Sequence, residues 1–247
     1  MISIQAVSKR FGTLQVLSNI SLEIESGTTT AIVGPSGTGK SVLIKIIMGL
    51  LEPDTGQVRI NSTSITQADE STRNQLRKRM GVLFQRAALF DSLTLLENVA
   101  FPLQAHQICS EKEAYERAWA KLEDVSLTKH ANSLPGEVSI GMRKRAGIAR
   151  ALVTNPELVL FDEPNTGLDP ETGQEIYDLI KETSERYHFT GLVISHEIPE
   201  VFQVCSRVVV LFGGQIEFDG NIAEFNNSSS AVVRQFAQGL IEGPITI

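Results

Sequence analysis

The chain has 247 residues, 42% hydrophobic and 21% charged, so it is long enough to bury a full core as one large domain or as one domain with an inserted subdomain. Its 29 acidic against 22 basic side chains give a net charge of -7, which argues against a general affinity for nucleic acid and leaves only a local basic face possible. The two cysteines, Cys109 and Cys205, lie far apart without metal-ligand neighbours, which speaks against a disulfide framework or a zinc site and for thiols of a reducing compartment.

Met1 to Val7 alternates like a strand and lacks the charged start, apolar core and cleavage site of a signal peptide, so the chain is expected to stay in the cytoplasm. No apolar run approaches the ~20 residues of a membrane-spanning helix. Leu43 to Leu51 is broken by Lys45, and Val208 to Phe212 is too short, so any membrane role is expected to come through a partner. Further strands are predicted at Ile20 to Ile24, Thr29 to Val33 and Val58 to Ile60, the last after a turn at Pro53 to Gly56.

Between the apolar, strand-like run that ends at Val33 and the helix predicted from near Ser41, the segment Gly34-Pro35-Ser36-Gly37-Thr38-Gly39-Lys40-Ser41 matches the phosphate-cradling loop G-x-x-x-x-G-K-[ST]. Glycines let successive N–H groups point at phosphate oxygens, and the helix start adds its positive dipole end. Lys40 is expected to reach the outer phosphates of a nucleoside triphosphate and Ser41 to hold Mg²⁺.

A strand at Val82 to Phe84 gives way to a helical texture from about Ala87 to Leu152, with helices predicted at Glu111 to Glu123 and Met142 to Leu152. This stretch reads as an inserted helical subdomain. Strand and helix then alternate: Leu158 to Phe161, a helix from Pro170 to Arg186, Leu192 to Ser195, a short helix near Glu197 to Val204, and Val208 to Leu211. Such alternation implies an α/β fold with a mostly parallel sheet that binds phosphate at the carboxyl ends of its strands. A polar break at Asn226 to Ser230 separates a domain over 1–225 from an extension over 226–247, with a short amphipathic helix at Ala231 to Leu240.

The apolar run Leu158 to Phe161 ends in Asp162 and Glu163, carboxylates placed to meet magnesium's water shell and to polarise an attacking water, respectively. With the loop at Gly34, this order and spacing resembles the ATPase subunit of an ABC transporter over essentially the whole chain. The resemblance implies a P-loop NTPase, RecA-like core with an N-terminal antiparallel β subdomain and an inserted helical subdomain. It also implies ATP and Mg²⁺ as ligands, Phe11 stacked on adenine, and Gln85 touching magnesium and reporting to the membrane subunit. Val138-Ser139-Ile140-Gly141-Met142 looks like the signature motif, Gly167-Leu168-Asp169 like the loop that crosses the dimer, and His196 like the switch histidine near the γ-phosphate. Two copies are implied to face each other, Ser139 of one capping the nucleotide held by Lys40 of the other.

The signature departs from the family pattern at Ile140, where a glycine is usual, and slower or more tightly gated turnover is expected. Met142 replaces the commoner glutamine. The basic run Arg143, Lys144, Arg145 and Arg150 reads as a solvated helix face, or else as a contact for phosphate or an acidic subunit.

Ala87 to Leu103 lies where the family grips its permease, and the tail Val233-Arg234-Gln235-Phe236 with Gly239 and Gly243-Pro244-Ile245 looks like the C-terminal extension of Mla-type ATPases. That resemblance implies phospholipid transport at the cytoplasmic side of the inner membrane. The implied partners are an integral membrane permease, an MCE-domain lipid-binding protein and a small STAS-domain protein. The other readings are an ATPase for uptake of amino acids or another polar solute, a soluble ABC protein acting on ribosomes or DNA, and a metabolite kinase. One phosphate loop and no sustained heptads speak against the soluble class.

Overall fold

A computed structural model describes residues 1–245, so the last two residues of the expected extension, Thr246 and Ile247, lie outside the described residues. In chain order, β1 (Ile2–Phe11) and β2 (Leu14–Ile24) precede β3 (Thr29–Val33), α1 (Lys40–Ile47), β4 (Thr55–Ile60), β5 (Thr63–Ser64) and α2 (Glu70–Arg77). Then follow β6 (Met80–Leu83), α3 (Leu95–Ala105), α4 (Glu111–Asp124), α5 (Ile140–Leu152), β7 (Leu158–Asp162) and α6 (Pro170–Tyr187). The chain closes with β8 (Thr190–Ser195), β9 (Arg207–Phe212), β10 (Gln215–Asn221), α7 (Ile222–Asn226) and α8 (Ala231–Gln238). These elements form two compact units, one from residues 1–77 with those from 190 onward, the other from residues 78–189.

The first unit holds the antiparallel sheet β2-β1-β4-β5, in which β1 pairs with both β2 and β4. Alternation along these strands buries Ile2, Ile4 and Val7 of β1 against Leu17, Ile20, Leu22 and Ile24 of β2. It also holds the strand order β10-β9-β3-β8, with β3 parallel to both β8 and β9. Every residue of β3 and β8 is buried, the pattern of strands covered on both faces. The edge strand β10 is antiparallel to β9 and alternates between exposed and half-buried, fastened by a bidentate Arg207–Asp219 pair at 2.6 Å. The extension belongs to this unit: α8 packs on α7 and β10, with Val232 and Val233 buried. Buried Gln235 folds the chain after α8 back on itself, its Nε2 donating to the Leu240 and Ile245 carbonyls and its Oε1 accepting from the Ile245 N–H at 2.6 Å.

In the second unit β6 and β7 run parallel, and α3, α4 and α5 pack on one another around Leu95, Val99, Leu103, Ala114, Ala118 and Leu122. Helix α5 also packs on β6 and α6. The turn that follows Gln85 is held from within. Fully buried Asn98 accepts from the Phe90 N–H at 2.7 Å and donates to the carbonyls of Phe90 (3.0 Å), Leu93 (2.9 Å) and Thr94 (3.0 Å). Arg150 of α5 donates to the carbonyls of Ala87 and Ala88, which both sit at positive φ.

Several expectations shift. The helix expected at Glu197 to Val204 is a single 3₁₀ turn, Glu200–Gln203, because Pro199 and the short span leave no room for α-helical pairing. Strands β1 and β2 run further than their apolar alternation predicts, since cross-strand pairing carries Lys9 to Phe11 along with Leu14 to Leu17. Helix α2, strand β10 and helix α7 are additions to the sequence reading.

Replacing Asn98 by Ala leaves a buried N–H and carbonyls of the 90–94 turn unsatisfied, with an expected loss of about 2–4 kcal/mol in unfolding free energy. Urea titration followed by circular dichroism measures it.

Candidate functional site

The first unit presents its chemistry at the carboxyl ends of adjacent strands. The register pairs Val33 of β3 with Ser195 of β8, so the loop from Gly34 and His196 begin side by side. Gly34 has φ +149°, and a Cβ there would stand 2.2 Å from the Leu211 carbonyl oxygen of β9, so only glycine lets the loop leave the sheet at this point. Gly37 and Gly39 also carry positive φ.

The start of α1 differs physically from the other α-helix starts among the described residues. Helices α2 to α8 are capped by the side chains of Asp69, Thr94, Ser110, Ser139, Asp169, Asn221 and Ser230. Helix α1 starts from Gly39, which has no side chain to satisfy the first N–H groups. That end bears the positive pole of the helix and suits an anion. Buried Lys40 adds a full charge over the same loop, its Nζ donating to the carbonyls of Gly34 at 2.7 Å and Pro35 at 2.8 Å. Thr38 Oγ1 donates to the Pro35 carbonyl at 3.0 Å, closing the loop, while Ser36 and Ser41 are exposed. Phe11, at the end of β1, is half exposed with the Lys9 ammonium 5.7 Å from its ring centre. Such a ring offers a flat face for stacking.

The second unit repeats the device. Parallel register sets Leu83 beside Phe161, so Gln85 and the pair Asp162-Glu163 emerge together. Gln85 Nε2 donates to Glu163 Oε2 at 2.6 Å, and Thr166 Oγ1 donates to the same oxygen at 3.0 Å. Glu163 has φ +49°, unusual for a residue with a side chain. Ser139 caps α5 by accepting from the Met142 N–H at 3.2 Å, and Ile140, the first residue of that helix, is 46% exposed. Gly141 is buried where a Cβ would meet Thr172 Cγ2 at 2.6 Å, so the starts of α5 and α6 lie close. Asp169 caps α6, and the Thr172 N–H, followed by its hydroxyl, holds the Asp169 carboxyl below the usual carboxylate range.

The basic run on α5 is not a solvated face. Arg143 donates to the carbonyls of Pro135 and Val138, Arg145 pairs with Glu175 at 2.6 Å, and Arg150 is taken up by the Ala87–Ala88 turn. Lys144 is 1% exposed and donates to the carbonyls of Gln85 and, at 3.1 Å, Glu163. Burial pulls the Lys144 ammonium down to about 8, opposed by the negative charges of Glu163 and Asp162. Cation spacing alone did not separate these four, because residues on every side of one helix read alike when its packing partners are unknown. A 480 Å³ cleft in this unit is lined by Gln85, Arg86, Ile140, Arg143, Lys144 and Thr166.

The donors singled out for Mg²⁺, the Ser41 hydroxyl, the Asp162 carboxylate and the Gln85 amide, are hard oxygen ligands. Among the described residues no three His, Cys, Asp or Glu side chains cluster as a cage, and oxygen donors of the kind each unit offers are the type that Mg²⁺ takes. No helix among the described residues is long and apolar enough to cross a membrane.

A family model described as ABC transporter matches residues 17–166. The probable ribonucleotide transport ATP-binding protein mkl of Mycobacterium leprae is 38% identical over 244 residues, 99% of this chain and 70% of that protein. The intermembrane phospholipid transport system ATP-binding protein MlaF of Escherichia coli K12 is 36% identical over 245 residues, 99% of this chain and 91% of its own. MlaF of Haemophilus influenzae is 35% identical, with 99% and 93% covered. Among solved structures, the dimeric ATP-binding cassette MJ0796 in a post-hydrolysis state bound to ADP and Pi superposes with a TM-score of 0.82 at 33% identity, covering 90% of this chain and 99% of that one. CbiO1 of Clostridium perfringens, part of the transporter complex cbiONQ, gives a TM-score of 0.83 at 26% identity, covering 95% and 93%. The matched family model and the near full-length similarity converge with the glycine-rich loop and the strand-end carboxylates: the chain belongs to the ABC transporter family.

Proposed function

We propose that this chain is the ATPase subunit of a transporter that moves phospholipid between membranes, acting as a homodimer on the cytoplasmic side of an integral membrane permease. The observation that carries the ATPase reading is the glycine-started, uncapped α1 beneath the Lys40 ammonium. The lipid reading is supported by MlaF, of which this chain spans 91 to 93%, against 68 to 70% of mkl. An MCE-domain lipid carrier and a small STAS-domain protein are the further partners this reading brings. Residues 1–225 are the ATPase domain with its helical subdomain at about 87–152, and 226–247 an extension for assembly.

Each unit supplies its own part of the chemistry. In the first, the loop from Gly34 to Ser41 binds the phosphates through backbone N–H groups and Lys40, Phe11 stacks on the base, and His196 donates to the γ-phosphate or the attacking water. In the second, Glu163 accepts the proton as water attacks the γ-phosphorus and the bond to the bridging oxygen breaks, releasing ADP and phosphate. Gln85 and Thr166 orient that carboxylate through their hydrogen bonds to Oε2. Mg²⁺, held through Ser41, Asp162 and Gln85, would neutralise developing phosphate charge. Ser139, Gly141 and Asp169 of one copy complete the nucleotide site of the other. The exposed Ile140 side chain adds bulk at that junction and slows closure.

Lys40→Ala is expected to weaken ATP binding about 100-fold or more by removing the charge over the loop. Glu163→Gln is expected to keep the dissociation constant within about threefold while lowering turnover about 10²- to 10⁴-fold. Equilibrium binding of a fluorescent ATP analogue and phosphate release distinguish the two, and equal loss of binding in both would overturn the assigned roles.

Deleting 231–247 is expected to preserve nucleotide binding and to lower recovery of the permease in affinity co-purification. Undiminished recovery would refute an assembly role. For cargo, the co-purified complex in proteoliposomes is expected to move fluorescent phospholipid to acceptor vesicles only with ATP, and not in the Glu163→Gln variant. Stimulation by a nucleotide or amino acid instead of lipid would transfer the assignment to a polar-solute importer.

A further inference from the structure

Lys144 occupies a position that an apolar side chain would fill at lower cost. It lies on the enclosed side of α5 at 1% exposure, while Arg143, Arg145 and Arg150 on the same helix are half-buried. Taking an ammonium out of water is expensive unless strong acceptors replace the solvent. The acceptors here are two backbone carbonyls far apart in sequence, those of Gln85 and Glu163. Their side chains are the same two that meet through the 2.6 Å bond between Gln85 Nε2 and Glu163 Oε2. Glu163 is also held at φ +49°, a conformation that a residue with a Cβ keeps only when its surroundings enforce it.

We propose that Lys144 is a positioning residue for ATP hydrolysis: by gripping the carbonyls of Gln85 and Glu163 together, it locks the left-handed turn at Glu163 and so aims the carboxylate at the attacking water. The proposal rests on the ATPase reading above. In this role Lys144 acts through the backbone it holds. Arg150, six residues further along α5, grips the same connection at Ala87 and Ala88 but reaches no part of Glu163. The two cations therefore divide the work, Arg150 shaping the turn and Lys144 tying it to the carboxylate.

The test uses Lys144→Met, which keeps the length and removes the donor, and Lys144→Arg, whose guanidinium can again serve two carbonyls. Lys144→Met is expected to lower kcat about tenfold or more, with KM and the ATP dissociation constant within about twofold. Lys144→Arg is expected to recover most of that loss. In a Glu163→Gln background, Lys144→Met is expected to change the residual rate by less than about twofold, because its effect passes through the carboxylate already removed. Wild-type kcat in Lys144→Met, a loss of kcat that follows a parallel loss of nucleotide binding, or an equal loss in both backgrounds would each overturn the proposal. Should Lys144→Met fail to fold, Lys144→Leu, which also lacks a donor, is judged by the same criteria. A wild-type chain that binds ATP without splitting it would sink the ATPase reading itself, an outcome distinct from these.

Discussion

A strand buried on both faces has no place for an ionisable side chain until it ends. β3 and β8 are enclosed at every position and β7 at every position but its last, Asp162. Chemistry is thereby expelled to the carboxyl ends, where the backbone leaves the sheet and polar groups regain access to water and ligand. Gly34, His196, Gln85 and the Asp162-Glu163 pair all stand within a few residues of such an end, and parallel register lines them up in neighbouring pairs. The apolar core and the placement of the candidate site residues are two results of one packing rule.

The same rule explains which parts of the fold were legible in the sequence. Fully buried strands announce themselves as unbroken runs such as Leu158 to Phe161, and amphipathic helices such as α4 and α6 by their period and their capping serine and aspartate. β10 gives no such signal, because a half-exposed edge strand containing Asp219, Gly220 and Asn221 contradicts strand propensity and is held by pairing with β9. Helix α2 buries only Leu76, so no apolar stripe marks it in the sequence, and the Asp69 cap and the Arg73 and Arg77 contacts hold it in place.

The site divides in a similar way. Motif spacing identifies residues whose role depends on backbone shape, such as the glycines of the phosphate loop, because that shape is encoded within a few neighbouring positions. It misses residues whose role depends on what lies across from them. Lys144 and Asn98 are ordinary polar letters on helices until the structure shows carbonyls from distant turns converging on each. Charge counted along α5 suggested an outer surface, whereas three-dimensional packing spends those charges on anchoring connections between elements.

Gln235 shows how little can hold a terminal segment. One amide side chain meets the chain at Leu240 and again at Ile245, and a Cβ on Gly243 would come within 2.2 Å of its Oε1. Because the same amide serves both Leu240 and Ile245, its loss would release both of these contacts together.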